Sequence, residues 1–169
     1  MVVLDQMATH AGLIQRLCLH ETITPGMPGY VEPDSLTAMW FIRQVLANMV
    51  AHPRTFGTKA GITEIEVLRL PNQFPGFETY PHLSPEAMVN VDRCVEFANN
   101  PRGWRHSLFL KHVQNAITVA RTPSIPPAYL VPEAAGWKKQ RTHPPGDNYV
   151  FWRRLQGNDY YTTPMSPAR

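Results

Sequence analysis

The sequence has few cysteines, few charged residues and no long apolar run, and each shortage limits what the protein can be. Two cysteines, Cys18 and Cys94, are too few for a disulfide framework. Charged residues make up 17% of the chain, below the roughly 25% of average globular proteins. No apolar stretch approaches the roughly 20 residues that a membrane-spanning helix requires. The first residues also lack the pattern of a secretory signal, so we expect a soluble intracellular or organellar protein.

Motifs for cofactor, metal or nucleophile chemistry are also sparse. The glycine-containing segment 26–29 lacks the Lys-Ser/Thr pair of a phosphate-binding loop. Cys94, His106 and His112 could supply three zinc ligands, but a second cysteine close to the first is missing. No local signature marks Cys18 or Cys94 as the nucleophile of a Cys–His pair. We therefore predict no catalytic residue, no metal, no cofactor and no small-molecule substrate, with a small Cys/His enzyme as an alternative.

Two pairs of carboxylates are candidates for acid–base chemistry. Glu64 and Glu66 are two apart, and Asp92 and Glu96 are four apart on a predicted helix, which places the second pair on one helical face. Arg93 stands between them in sequence. This mixture of signs is typical of a solvated helix surface rather than of a catalytic dyad.

Helices separated by prolines are the main pattern of the first 121 residues. Apolar residues recur at helical spacing, and Ser84 followed by Pro85 and Glu86 is a strong helix start. For residues 62–70 a capping box of Thr63 and Glu66 favours a helix, and a partly β-branched sequence leaves a strand as the alternative. The predicted helices span residues 5–20, 34–52, 62–70, 85–99 and 103–121.

The predicted core joins the helix over 34–52 to the last two helices. Methionines at helical spacing, namely Met39, Met49 and Met88, are interpreted as core residues. One apolar stripe should face another: Leu36, Met39, Ile42, Leu46 and Met49 against Val91, Val95, Leu108, Val113 and Ile117.

Residues 122–169, called here the C-terminal arm, have a different composition. They contain eight of the 17 prolines, four of the six tyrosines and two of the four tryptophans. Proline removes a backbone donor and disfavours helix at the preceding residue, whereas a solvated linker would contain few aromatic residues. We therefore predict an extended arm lying across a partner protein. Its predicted anchors, chosen because aromatic and arginine side chains are enriched at interfaces, are Trp137, Tyr149, Phe151, Trp152, Arg153 and Arg154.

Charge is distributed unevenly along the chain. Residues 1–100 contain six basic and ten acidic residues, whereas residues 101–169 contain ten basic and three acidic residues, a net charge of +7. Such a region can bind an acidic protein face, lipid or nucleic acid. Because no glycine-rich or lysine-rich context accompanies the aromatic residues of segment 149–154, a protein partner is favoured over nucleic acid.

Three segments together resemble a known family. Residues 11–14, residues 33–67 and the group formed by residues 136–138, 143–145 and Trp152 are similar to the alpha-subcomplex subunit 5 family, an accessory subunit on the peripheral arm of mitochondrial respiratory complex I. Residues 21–32 would be an insertion relative to that pattern. The resemblance implies a three-helix bundle and tail clamped to core subunits, without a cofactor or catalytic residue.

The sequence thus predicts an all-α fold in which a bundle of three or four helices, residues 1–121, precedes the extended C-terminal arm, residues 122–169. The predicted function is that of a non-catalytic accessory subunit of the respiratory-chain complex I assembly, bound to other protein subunits on the matrix side of the mitochondrial inner membrane. A mitochondrial ribosome-associated protein that contacts RNA is a further alternative.

Overall fold

A computed structural model describes residues 1–139 and 142–167 of the chain. Within these residues six α-helices, a short 3₁₀ helix over Pro127–Tyr129 and three β-strands are present. The helices are α1 (His10–Glu21), α2 (Glu32–Ala51), α3 (Pro53–Phe56), α4 (Glu64–Leu68), α5 (Pro85–Asn99) and α6 (His106–Arg121), and the strands are β1 (Ala134–Lys139), β2 (Val150–Leu155) and β3 (Asn158–Thr162).

Local capping signals set where several helices begin. The Ser84 hydroxyl accepts a hydrogen bond from the Ala87 backbone N–H, and proline occupies the first turn of α5, as the sequence predicted. The capping box of Thr63 and Glu66 is formed at the start of α4, which decides for helix over strand in this segment. Helix α1 begins at His10 rather than at the predicted Asp5, because the Thr9 side chain caps it.

Helix α2 is the centre of the molecule and is buried on most of its circumference. The predicted stripe of Met39, Ile42, Leu46 and Met49 is buried, and Leu36 is partly buried. Trp40 and Phe41, which lie outside that stripe, are buried as well. A helix that is apolar on several faces needs a second layer to cover it.

The helices that pack on α2 were predicted only in part. Helix α2 packs on α6 and α1, whereas α5 packs on α6 and α1 and does not reach α2 within the described residues. Met88 is 42% exposed, so its predicted place in the core is wrong. Trp104, predicted to begin the last helix, is 59% exposed, with its ring against Gly26 and the Arg105 guanidinium 4.4 Å away. The correct partners of α5 are therefore α1 and α6.

The prediction of an all-α fold with an extended C-terminal arm is wrong. The arm contains a three-stranded antiparallel sheet with strand order β1-β3-β2, which makes the fold a mixture of helices and strands. Strands β1 and β2 both pack against α2, so the arm covers the chain's own helices. The prolines of this region lie outside the strands, so they do not interrupt the hydrogen bonds of the sheet.

A two-residue turn between β2 and β3 builds the hairpin. Gln156 and Gly157 both have positive φ, at 54° and 82°, the combination that a type I′ turn requires. This turn matches the right-handed twist of paired strands. It therefore sets the register in which Leu155 lies opposite Asn158 and Phe151 lies opposite Tyr161.

Asn48 of α2 holds the beginning of the sheet region in place, and His52 and Thr55, at and within α3, hold the segment that follows it. The Asn48 amide donates to the backbone carbonyls of Pro132 at 2.9 Å and Ala134 at 2.8 Å, at the start of β1. The Thr55 hydroxyl donates to the Ser166 hydroxyl at 2.9 Å. The backbone carbonyl of Ser166 lies 2.6 Å from Nδ1 of His52. Among the described residues, none of the helices combines the length and apolarity needed to cross a membrane.

Candidate functional site

The exposed side of the C-terminal sheet carries a row of charges across all three strands. Lys138 on β1 and Arg154 on β2 both lie opposite Asp159 of β3. The Arg154 Nε atom donates to Asp159 Oδ1 at 2.6 Å, and this hydrogen bond raises the pKa of Arg154. Asp159 is buried, whereas the basic side chains on both sides of it are exposed.

Apolar side chains of β2 are exposed next to these charges. Strand β2 is an edge strand, and Val150 and Phe151 at its start are 60% and 54% exposed. The Phe151 ring makes an edge-on contact with Tyr161, with centroids 6.3 Å apart. Natural sheets protect exposed edges with charged residues or bulges, so two exposed apolar side chains on an edge mark a surface that a partner could cover.

The structure separates the six predicted anchors into three groups. Trp137 and Trp152 pack against the protein's own core: Trp137 stacks on Tyr160, and Trp152 stacks on Phe41 with centroids 5.0 Å apart. Tyr149 is half-buried beside β1. The other three, which are Phe151, Arg153 and Arg154, are exposed on β2.

A cleft of about 430 Å³ follows β1, where the sheet meets the helices. Trp137, Phe74 and Tyr149 supply aromatic side chains, and Lys138 and Glu21 are its charged residues. Val45 and Met49 of α2, Asn72, Gln73, Pro75, Ala135, Gly136 and Pro145 complete the lining. This volume lies within the range of small-molecule sites in proteins, roughly 300–1,000 Å³.

Glu21 is the unusual group of this cleft. It is the last residue of α1, where the helix dipole disfavours a negative charge. Burial raises the pKa of its carboxyl to about 7, and a hydrogen bond from the Trp137 side chain offsets part of that rise. Its Oε1 atom is shielded from solvent and has no hydrogen-bond partner among the described residues. A buried polar atom left without a partner calls for an explanation.

The residues considered as metal ligands lie in different surroundings. His112 is fully buried, with Nδ1 2.9 Å from the Ser35 hydroxyl and Nε2 3.5 Å from that of Thr22, and burial lowers the pKa of its imidazole to about 3. Cys94 is buried in α5, and His106 is the first residue of α6. Within the described part of the chain, no three His, Cys, Asp or Glu side chains are close enough together to hold a metal ion.

Both carboxylate pairs lie at the surface, and Glu64 and Glu66 each bind a basic side chain. Glu64 Oε2 lies 2.6 Å from His10 Nδ1, and Glu66 Oε1 lies 2.6 Å from Lys59 Nζ. Asp92 and Glu96 are exposed on α5, as predicted for a solvated helix face. Glu21 was not among the residues predicted from the sequence, although an acidic residue at a predicted helix end, just before a loop rich in proline and glycine, is a signal that could have found it.

Comparisons with models of protein families, with curated proteins and with solved structures find no match to this chain. The resemblance to the complex I subunit family therefore stays a prediction.

Proposed function

We propose that this protein is a non-catalytic accessory subunit that binds an acidic surface of a partner protein through strand β2. The observation that carries this proposal is the exposure of Phe151 and Val150 on an edge strand, next to the exposed Arg153 and Arg154. Aromatic and arginine side chains are the common energetic centres of protein interfaces. An edge strand also offers backbone groups to which a partner strand can add.

The charge of the sheet favours an acidic partner. The three strands contain four basic residues and a single acidic one, Asp159, which already binds Arg154. Complementary charge fixes orientation and increases the rate of association more than it increases affinity. The apolar contact of Phe151 is therefore expected to supply most of the binding energy, with the arginines selecting the partner.

The identity of the assembly follows from the sequence resemblance alone. On that basis we propose the peripheral part of mitochondrial respiratory complex I, on the matrix side of the inner membrane. This assignment agrees with a chain whose exposed apolar side chains need a partner.

The test is native electrophoresis of membranes from the source cells, with the tagged chain detected beside the NADH dehydrogenase activity of complex I. The wild-type chain should migrate with that activity, whereas Phe151→Ser should reduce its incorporation. Trp104→Ser is the matched control, because Trp104 is equally exposed but lies away from the sheet. A wild-type chain that migrates at its own 19.2 kDa while the complex stays intact would contradict the proposal.

RNA binding is tested by the same experiment. Protein–RNA affinity falls steeply with salt because phosphate contacts release counterions. A chain that leaves its assembly after ribonuclease treatment, or that migrates with ribosomal subunits, would replace the proposal with the ribosome-associated alternative.

A further inference from the structure

The cleft along β1, which is open to solvent on one side, combines aromatic walls with one unsatisfied carboxyl oxygen. We propose that it binds a small organic cation in which a short alkyl chain joins an ammonium group to a flat aromatic ring, with Glu21 as the partner of the ammonium group. This inference goes beyond the accessory-subunit proposal, because it concerns a cleft along β1 rather than the exposed strand β2, and a different class of ligand.

The unsatisfied oxygen of Glu21 is the first reason. An ionised carboxylate accepts several hydrogen bonds, and the Trp137 side chain supplies one of them. The Oε1 atom is shielded from solvent and has no hydrogen-bond partner in the described part of the chain. The last torsion of a glutamate is broad and roughly two-fold, so either oxygen can turn toward the cleft without a large cost. A ligand N–H group would satisfy the oxygen that the protein leaves without a donor.

The aromatic lining is the second reason. Trp137 has its ring centroid 6.0 Å from that of Phe74 and 6.3 Å from that of Tyr160, so two rings contact its indole. Phe74 and Tyr160 are buried, which keeps these rings in fixed positions. The Tyr149 ring lies near Gly136 and lines the same cleft. Such walls favour a flat ligand through stacking and stabilise a cation near a ring face.

The charges around Glu21 decide the sign of the ligand. Burial, with a smaller contribution from the negative charge of Glu21, raises the pKa of Tyr160 on β3. The Tyr160 hydroxyl therefore stays neutral near pH 7. Helix α2 contributes the apolar Val45 and Met49, and residues 72–75 contribute no charge. Lys138 is the basic residue of the lining and is exposed, where solvent screens its charge. The negative charge of the half-buried Glu21 therefore favours a positively charged ligand.

The protonation of Glu21 makes binding depend on pH. The pKa of its carboxyl is about 7 in the free protein, so the ionised fraction falls from about 0.9 at pH 8 to about 0.1 at pH 6. An alkylamine stays protonated across this range. If the ammonium group binds only the ionised carboxyl, the dissociation constant should be about tenfold larger at pH 6 than at pH 8.

The experiment is titration calorimetry of the full chain with tryptamine at both pH values. We expect tryptamine to bind at pH 8, and indole, which lacks the amine, to bind at least about tenfold more weakly. Glu21→Gln should weaken tryptamine binding by about tenfold or more at pH 8 and remove the pH dependence. Glu133→Gln, at an exposed carboxyl outside the cleft, is the matched control and should change neither result.

The result that overturns the proposal is equally specific. The site does not exist if wild-type protein fails to bind tryptamine at millimolar concentration, or if Glu21→Gln binds it with an unchanged dissociation constant. The near-ultraviolet circular dichroism of Glu21→Gln checks that the variant is folded, and folding is expected because the change removes a buried ionisable group. Failure here would leave the β2 interface untouched, because Phe151 and the cleft are tested by different variants and different readouts.

Discussion

Replacement of Phe41 should weaken the packing of the sheet on the helices, because this ring contacts both layers. Phe41 is 1% exposed on α2. It stacks on Trp152 of β2 at 5.0 Å and makes an edge-on contact with Tyr160 of β3 at 5.1 Å. No other ring of α2 contacts two strands within the described residues.

The magnitude follows from what each substitution removes. Phe41→Ala leaves a cavity and should cost about 3–5 kcal/mol of unfolding free energy. Phe41→Leu keeps most of the apolar volume and loses mainly the two ring contacts, each worth about 0.5–1.5 kcal/mol, so it should cost roughly 1–3 kcal/mol. Because a domain is stable by only about 5–15 kcal/mol, the leucine variant is the one that stays folded for measurement.

The assay is urea unfolding followed by circular dichroism and by tryptophan fluorescence. A double-mutant cycle of Phe41→Leu with Trp152→Leu should give a coupling energy of about 0.5–1.5 kcal/mol. The same cycle with Trp104→Leu is the control, and should be additive within about 0.5 kcal/mol because Trp104 lies outside this cluster. Equal coupling in both cycles would refute the interpretation that Phe41 joins the sheet to α2.

Further predictions concern buried groups and the hairpin turn. Burial lowers the pKa of His112 to about 3 from an ordinary 6.5; the unfolded chain is therefore protonated first, and unfolding free energy should fall by up to about 1.4 kcal/mol per pH unit as pH falls through this window. In urea unfolding at several pH values, His112→Asn should flatten that slope, while His82→Asn, at an exposed position, should preserve it. Burial raises the thiol pKa of Cys18 and Cys94 to about 12, so both should react with a thiol reagent only as fast as the chain unfolds. A rapid reaction in native buffer would instead support the thiol-enzyme alternative. Gly157 has a φ of 82° and open space around its Cα, so Gly157→Ala should cost about 1–2 kcal/mol from backbone strain alone, measured by urea unfolding, and a neutral result would contradict the type I′ turn.

Local signals in the sequence were enough to predict most of the helices. Caps such as Ser84 and the Thr63–Glu66 box act within one helical turn, so their chemistry is visible without tertiary structure. Helix ends next to prolines were also well predicted, as with α2, which ends one residue before the His52-Pro53 pair. Packing between helices was harder to predict, because the stripe on α5 fits α1 and α6 as well as it would fit α2.

The many prolines of residues 122–169 suggested that the whole segment lacks regular structure, and this expectation was wrong. Proline excludes regular structure only where it stands, and residues 134–139 and 150–162 contain none. These segments are rich in aromatic residues and are joined by Gln156-Gly157, a glycine-containing two-residue turn between two strand-like runs, which is a hairpin signal. The adjacent apolar residues Trp40 and Phe41 gave a second signal, because one stripe of contacts could not bury them together with Met39 and Ile42.

The candidate cleft depends on contacts between distant parts of the sequence. Glu21 ends α1, Phe74 belongs to an irregular segment and Trp137 lies in β1, so only the folded chain brings them together. Burial raises the pKa of the Glu21 carboxyl, and the segments that contain Phe74 and Trp137 supply part of that burial. No spacing rule within the sequence could predict this arrangement.

An irregularity in β2 explains how one strand serves both the core and the proposed interface. Side chains alternate between the two faces of a regular strand, so neighbouring residues would be divided strictly between core and solvent. Here the register shifts between Phe151 and Arg153, which leaves Trp152 without a paired residue on β3. A bulge of this kind redirects a side chain while pairing continues on both sides. Alternation alone would place Phe151 and Trp152 on opposite faces, but it would turn Arg154, three residues after Phe151, toward the core. With the bulge, Arg154 instead pairs with Asp159 on the face of Phe151 while Trp152 stacks on Phe41. Deletion of Trp152 would remove both the bulge and the contact that holds β2 on α2.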